Sequence, residues 1–201
     1  MSWLTRRGAA AALAVGLATV YGFGWRGLLL LLAFFVSGSL LSKSTTRNER
    51  QVLANGGVAA LAALAGSWAG FAGAIAAATA DTWASEIGKH SRTPPRLITR
   101  GTPVPAGTDG GITLLGTAGG VVGAGLIAAL AVLLEPRAIG PGPAHHGWIA
   151  PIVAAAGIIG MLLDSVFGAT VQGAVRWFDN DVVNLAATLG GAAAALLFVL
   201  A

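Results

Sequence analysis

The chain has 201 residues, of which 55% are hydrophobic and 10% are charged, and its mean hydropathy is +0.77. A soluble domain carries about 25% charged residues, so this composition excludes a water-facing globular protein and predicts an integral membrane protein. The net charge of +4 is modest and its cations gather in a few loops, which indicates membrane topology and phosphate binding rather than nucleic-acid binding. Cysteine is absent, which excludes disulfides and thiolate metal sites.

Long apolar runs predict an all-α, polytopic transmembrane bundle that forms one integral membrane domain over residues 1–201. The run 8–41 exceeds the roughly 20 residues of one span and breaks at 22–27. The run 52–82 is also too long and breaks at 66–70, where re-entrant segments remain an alternative. The predicted helices number about seven: 8–22, 27–41, 52–66, 68–86, 112–134, 148–172 and 182–201.

The cations predict the orientation of this bundle. Arg6 and Arg7 precede the first apolar run, as in a secretory signal, but further spans follow directly and favour a first membrane helix with a basic flank. With this N-terminus in the cytoplasm, the loops 42–51, 87–111 and 173–181 are cytoplasmic as well. That side then holds ten of the twelve Lys and Arg residues, and only Arg26 and Arg137 lie outside. Seven of the eight acidic residues fall on the same side, and only Glu135 does not. We expect a multi-pass protein of the cell (inner) membrane.

Two carboxylates, Asp81 and Asp164, fall within predicted membrane helices. A charge at the bilayer centre costs about 3 kcal/mol on insertion scales, so such residues are functional candidates. The alternative is a carboxylate near a helix end that reaches water or pairs with an arginine. Small residues repeat at steps of three and four beside both, and also in helix 112–134, which predicts that the carboxylates point into the bundle. These small faces comprise Gly66, Gly70, Gly73 and Ala77; Gly157, Gly160 and Gly168; and Gly116, Gly119, Gly120 and Gly123.

The polar stretch 80–111 contains the second group of candidates. Glu86 ends one helix, and Lys89, Arg92, Arg96 and Arg100 follow it, as phosphate ligands or simply as topological signals. The turn 107–111 precedes a helix, where backbone amides bind phosphate well, although glycine-rich turns are common. It is not a P-loop, because no G-x-x-x-x-G-K-[ST] occurs.

Two further polar clusters have simpler alternatives. Asp179, Asn180, Asp181 and Asn184 surround the start of the last helix, and a helix N-cap explains Asp181, while metal or phosphate binding would use the others too. His145 and His146 lie on the opposite face, where we interpret them as loop residues.

Five stretches resemble the DUF92 membrane proteins, which include the plant phytyl-phosphate kinase and the animal transmembrane protein 19 group. They are RNERQVLANGG (47–57), ADTWASEIG (80–88), PRLIT with VPAGTDGG (95–111), GMLLDSVFGATVQ (160–172) and WFDNDVVNLAAT (177–188). They cover nearly all of the chain after residue 46, in the order of the family, whereas the first two helices carry no such motif.

The resemblance implies an enzyme that transfers the γ-phosphoryl group of a nucleotide, CTP rather than ATP, to an isoprenyl monophosphate held in the bilayer. Phosphoryl transfer needs charge neutralisation and in-line positioning more than a strong base. Asp81, Glu86, Lys89 and Asp164 would be catalytic. Mg²⁺ would be held by Asp81, Glu86, Asp164, Asp179 and Asp181. Substrate and nucleotide would be bound by Asn55, Arg92, Arg100, Thr108, Gly110, Gly111 and Asn184. The oligomeric state is left open.

A transporter or flippase for a small anion or lipid phosphate is the alternative, since buried carboxylates and glycine-rich helices suit it too. A transporter places its polar residues near the midplane and often carries a repeat. Here the polar residues gather at one face without a clear repeat, which favours the enzyme. A purely structural subunit would leave Asp81 and Asp164 unexplained.

Overall fold

A computed structural model describes residues 3–42, 46–136 and 146–200, with the side chains of residues 146 and 147 also outside the description. The predictions for Lys43, Arg137 and the His145–His146 pair therefore fall outside the described residues or side chains. The elements in chain order are α1 (Arg6–Leu41), α2 (Glu49–Leu64), α3 (Trp68–Gly88), β1 (Arg96–Leu97), β2 (Gly111–Ile112), α4 (Leu114–Leu134), α5 (His146–Thr170) and α6 (Asn180–Leu200).

Helix α1 contains both of the first two predicted helices, so the described residues form six helices and the predicted count of about seven is not confirmed. The chain nevertheless reverses at Gly24, whose φ of 60° and ψ of −147° are accessible to glycine alone. A straight helix of 36 residues would be about 54 Å long, yet Gly8 and Gly38 both adjoin Arg47. The two halves of α1 thus run antiparallel, as the break at 22–27 predicted.

Within the described residues, four helices are long and apolar enough to cross a membrane: α1, α4, Trp148–Thr170 of α5, and α6. Helix α2 is short, with 16 residues. Helix α3 differs from these four helices in its surroundings, because nearly all of its residues from Trp68 to Ala80 are buried by other parts of the protein.

Helix α3 lies at the centre of the bundle and packs against each of the other five helices. These five form a ring around it in the order α1, α2, α6, α5 and α4, with α4 returning to α1. The predicted small faces make these contacts close. A Cβ added at Gly73 would lie 2.7 Å from the Gly191 carbonyl oxygen, and one added at Gly116 would lie 2.6 Å from that of Ala84.

The bundle has one polar end and one apolar end. Phe23, Trp68 and Phe71 pack at the apolar end, where the Trp68 indole donates to the Ala131 carbonyl at 3.1 Å. The polar end carries the starts of α2 and α6 and the long 89–113 connection, in which β1 and β2 pair antiparallel. This connection and the ends of α3 and α5 surround the site described next.

Candidate functional site

A cavity of about 560 Å³ opens at the polar end of the bundle. Its walls come from the last turns of α3, the 89–113 connection, the start of α4 and the end of α5. This volume lies within the usual range for small-molecule sites, about 300 to 1,000 Å³. Of the predicted site residues, the cavity brings together Asp81, Lys89, Arg92, Thr108, Gly110, Gly111 and Asp164.

Asp81 of α3 and Asp164 of α5 meet on the inner wall of this cavity, where their side chains share a hydrogen bond. Each lies one helical turn beyond a small residue, Ala77 or Gly160, and these two small residues are in direct contact. Because residues four apart share a helix face, that contact brings the two carboxyl groups together. A hydrogen bond between two carboxyl groups requires a proton on one of them, since an ionised carboxylate only accepts.

Asp164 also has a polar atom without a partner: its Oδ2 is buried and forms no hydrogen bond to the described residues. Leaving a buried polar atom unsatisfied is costly, so such an atom in a cavity needs an explanation. Asp109 lines the same cavity and interacts electrostatically with Asp164. Three carboxylates therefore line one cavity, and two of them, Asp81 and Asp164, adjoin each other.

The turn 107–111 packs directly on α5. Gly110 has a φ of +71°, and a Cβ there would lie 2.6 Å from the Ser165 carbonyl oxygen and would also collide with Ala169. The Gly110 carbonyl accepts from the Ile98 amide at 3.0 Å. The Gly111 amide donates to the Thr108 carbonyl at 3.0 Å, so it is engaged within the turn rather than free for phosphate. The turn thus places Asp109 beside the carboxyl pair.

The predicted cations divide into two groups. Lys89 and Arg92 line the cavity, whereas Arg100 is exposed and lies outside its lining. Lys89 Nζ pairs with Glu86 Oε1 at 2.8 Å, and Glu86 itself is not among the lining residues. Glu86 therefore stands behind Lys89 and holds it, rather than facing the cavity.

Asp179 and Asp181 form a separate cluster around Arg50. Arg50 Nη2 lies 2.6 Å from Asp179 Oδ2, and Arg50 Nε lies 3.3 Å from Asp181 Oδ2. Asp179 Oδ1 also accepts from the amides of Asp181 and Val182, so Asp179, and not Asp181, caps α6. The hydrogen bonds from Arg50 and from the Val182 amide hold the pKa of Asp179 below its ordinary value. Metal binding by these two residues stays a prediction.

The two predicted asparagines lie outside the cavity lining. Asn55 donates from Nδ2 to the Gln51 carbonyl of its own helix at 3.0 Å. Asn184 is half-buried on α6. Among the described residues, no three His, Cys, Asp or Glu side chains are close enough together to hold a metal ion by themselves. A metal here would rest on two carboxylates and complete its shell with water or phosphate oxygens, as Mg²⁺ commonly does.

Sequence reasoning missed three features of this end of the bundle. Asp109 was not named as a site residue, although the turn 107–111 that carries it was singled out. Asn180 lines the cavity and was assigned only to the polar cluster before α6. Arg47 is half-buried, donates to Ser39 Oγ at 2.6 Å and interacts with Glu86. Burial lowers the pKa of its guanidinium, an effect that Glu86 opposes.

Comparison with known proteins agrees with a membrane location. The chain matches the family described as Integral membrane protein DUF92 over residues 1–192. It is 39% identical to an uncharacterized membrane protein of Methanocaldococcus jannaschii, over 88% of this chain and 78% of that one. An uncharacterized membrane protein of Synechocystis is 35% identical over 96% and 81%. Protein VTE6, chloroplastic, of Arabidopsis thaliana is 28% identical over 90% and 61%. No solved structure matches the chain.

Proposed function

Because the chain belongs to the DUF92 family of integral membrane proteins, we propose that it is a membrane-embedded kinase that phosphorylates an isoprenyl monophosphate. The γ-phosphoryl group of a nucleotide, CTP rather than ATP, would pass to the lipid phosphate and give the diphosphate. The multi-pass protein would lie in the cell membrane with its polar end toward the cytoplasm. The observation that carries the proposal is the paired Asp81 and Asp164 inside a polar cavity whose rim holds Lys89 and Arg92.

The residues of this cavity fit Mg²⁺. The buried, unpartnered Oδ2 of Asp164 is a vacant oxygen ligand, and Asp81 and Asp109 add carboxylates on the same space. Oxygen ligands are what Mg²⁺ requires, and one or two carboxylates with substrate phosphates form its usual site in phosphotransferases. Asp81 and Asp164 would hold the ion, which would supply charge neutralisation for the phosphate groups.

The chain's own residues supply the rest of the chemistry. Lys89 and Arg92 are cations at the polyanion site, where they would bind the nucleotide phosphates and offset charge that develops during transfer. Glu86 keeps Lys89 in place through the 2.8 Å salt bridge. The acceptor needs no strong general base, because a phosphate monoester has its second pKa near 6 and is already an anion at neutral pH, about −1.5 to −2 in charge.

A transporter or flippase is the second function that the composition allows. Its site must communicate with both faces of the membrane in turn. Here the polar side chains collect at one end, and the other end is filled by the buried side chains of Phe23, Trp68 and Phe71. This distribution favours an enzyme that works from one face.

The test is a phosphoryl-transfer assay on the purified protein in detergent. Mg²⁺ would be combined with CTP or ATP and with phytyl, geranylgeranyl or farnesyl monophosphate, and the diphosphate would be sought by mass spectrometry. We expect metal-dependent product from wild type and none from Asp164→Asn. Absence of product with every pair, from protein shown to be folded, would overturn the kinase proposal. The same protein in liposomes would then be tested for uptake.

A further inference from the structure

One side of the cavity is lined at the seam between α4 and α5, two helices that pack against each other. Leu162 of α5 lines the cavity and is also 39% exposed. Thr117 lines it from the side of α4. Leu114, at the first position of α4, is 86% exposed beside this region. In a bundle of membrane-spanning helices, such exposed leucines face lipid, which places the α4–α5 side of the cavity next to the bilayer.

The seam is closed deeper in the bundle. Gly120 of α4 lies directly against the Met161 sulfur, with no room for a Cβ between them. Further along, a Cβ at Gly157 of α5 would lie 2.9 Å from the Ala124 Cβ of α4. Any opening along this seam is therefore confined to the first turn and a half of α4, next to the carboxyl pair. Met161, an adaptable thioether side chain, forms the boundary between the open and closed parts.

The chemistry of the wall changes from the inside outward. Asp81 and Asp164 lie on the inner wall, and Met161 and then Leu162 lie toward the outer surface. A ligand that matches this gradient has a charged head for the polar wall and an apolar chain that continues into lipid. Hydrophobic contact along the apolar chain of the ligand then keeps its charged head at the depth of the carboxyl pair, because moving the apolar chain into water is unfavourable.

We propose that this opening, bounded by Thr117 and Leu162, is a lateral portal through which the isoprenyl chain of the substrate passes from the cavity into the bilayer. The proposal rests on the function proposed above and adds the route and the residues that contact the chain. It follows that the protein contacts only the isoprene units next to the phosphate, and that the remainder of the isoprenyl chain lies in lipid.

A bulky residue at the portal tests this route. Leu162→Trp should lower kcat/KM for geranylgeranyl monophosphate by roughly tenfold, and the loss should become smaller as the isoprenyl chain is shortened. Val166→Trp is the matched control, because Val166 lies one turn away on α5, is 37% exposed and does not line the cavity. Equal loss for long and short chains in Leu162→Trp, or the same loss in Val166→Trp, would overturn the portal.

A binding measurement separates the portal from the kinase reaction. The chain has no cysteine, so Leu162→Cys and Val166→Cys each create a single labelling site. We expect geranylgeranyl monophosphate, without nucleotide, to slow labelling of Leu162→Cys by a membrane-permeant thiol reagent at least about threefold. Inorganic phosphate should not slow it, and Val166→Cys should show no protection. If the protein turns over substrate but Leu162→Cys is not protected, the kinase proposal stands and the portal proposal is overturned. If Leu162→Cys is protected but no nucleotide supports turnover, the portal stands and the kinase proposal is overturned.

Discussion

Asp81 and Asp164 share a hydrogen bond between the central helix α3 and helix α5, one turn beyond the contact of Ala77 with Gly160. Two carboxyl groups this close cannot both be ionised without a cation to neutralise them. The pair would therefore share a proton when no cation is bound, and the Mg²⁺ proposed above would take the place of that proton. Small residues where α3 and α5 cross let the two carboxyl groups come together. The pair in turn gives the cavity an acidic inner wall.

Asp164→Asn should lower kcat for phosphoryl transfer by roughly a thousandfold or more. The amide keeps the size of the side chain but removes the charge that would hold the metal. Turnover would be measured alongside membrane insertion and gel-filtration behaviour, which should match wild type. Asp179→Asn is the control, because Asp179 lies in the Arg50 cluster outside the cavity lining. Wild-type turnover in Asp164→Asn would exclude a metal role for this residue.

Mg²⁺ should raise the Tm of the wild-type protein but not that of Asp81→Asn. A ligand present at a hundred times its Kd stabilises the folded state by about 2.7 kcal/mol, and Asp81→Asn removes half of the carboxyl pair. Without metal, Asp81→Asn should itself melt above wild type, because a buried carboxyl pair is destabilising and active-site residues often are. The Mg²⁺ shift would be read by differential scanning fluorimetry. If the Mg²⁺-induced rise in Tm were lost in Asp179→Asn but kept in Asp81→Asn, the metal site would be assigned to the Arg50 cluster instead.

The Arg50–Asp179 salt bridge should stabilise the protein fully above about pH 4 and progressively less at lower pH. The pKa of Asp179 is lowered from its ordinary 3.8, mainly by the hydrogen bond from Arg50. A lowered folded-state pKa means that the stabilisation is present above the unfolded-state pKa and is lost as pH falls through the folded-state value. Arg50→Gln should therefore melt below wild type at pH 7, and the difference should shrink toward pH 3.

Two conditions check that this difference comes from the ion pair. Added salt should reduce it at pH 7, because the pair is exposed and screened. The variant Arg176→Gln removes an exposed arginine from the turn that precedes α6, close to Asp179 in sequence, and should show no such pH dependence. A difference that grows as the pH falls would contradict the assignment.

Gly110→Ala should damage the site much more than Gly107→Ala. Both glycines have positive φ, +71° and +88°, so an alanine at either position costs about 1 kcal/mol of steric strain in the left-handed region. A Cβ at Gly107 meets nothing within 4 Å, but one at Gly110 collides with Ala169 and with the Ser165 carbonyl. The turn would then move away from α5 and withdraw Asp109 from the carboxyl pair. We expect Gly110→Ala to lose activity and Tm, and similar behaviour of the two variants would argue against the close packing.

The sequence predicted the class of fold well, because composition and apolar runs depend only on the preference of each residue for lipid or water. It also singled out Asp81 and Asp164, which line the cavity, since carboxylates within apolar helices are rare. It did not predict that α3 is the central helix. An Ala- and Gly-rich helix has the same apolar composition whether protein or lipid surrounds it, so the pattern does not distinguish the two. Nor did it separate Asp179 from the cavity, because the partner that engages it, Arg50, is 129 positions away in the chain. Such pairings depend on the helix order in space, which local pattern does not encode.

Arg92→Gln should raise the KM for the nucleotide by roughly tenfold, whereas Arg100→Gln should leave it unchanged. The two arginines belong to the same basic connection and both are exposed, but only Arg92 lines the cavity. A cation at the cavity would bind the nucleotide phosphates, while one on the far part of the connection would serve mainly the topology of the protein. Initial-rate kinetics with varied nucleotide at saturating lipid phosphate would measure both variants. Equal effects would mean that the connection acts through its overall charge, and a larger effect of Arg100→Gln would place the nucleotide outside the cavity.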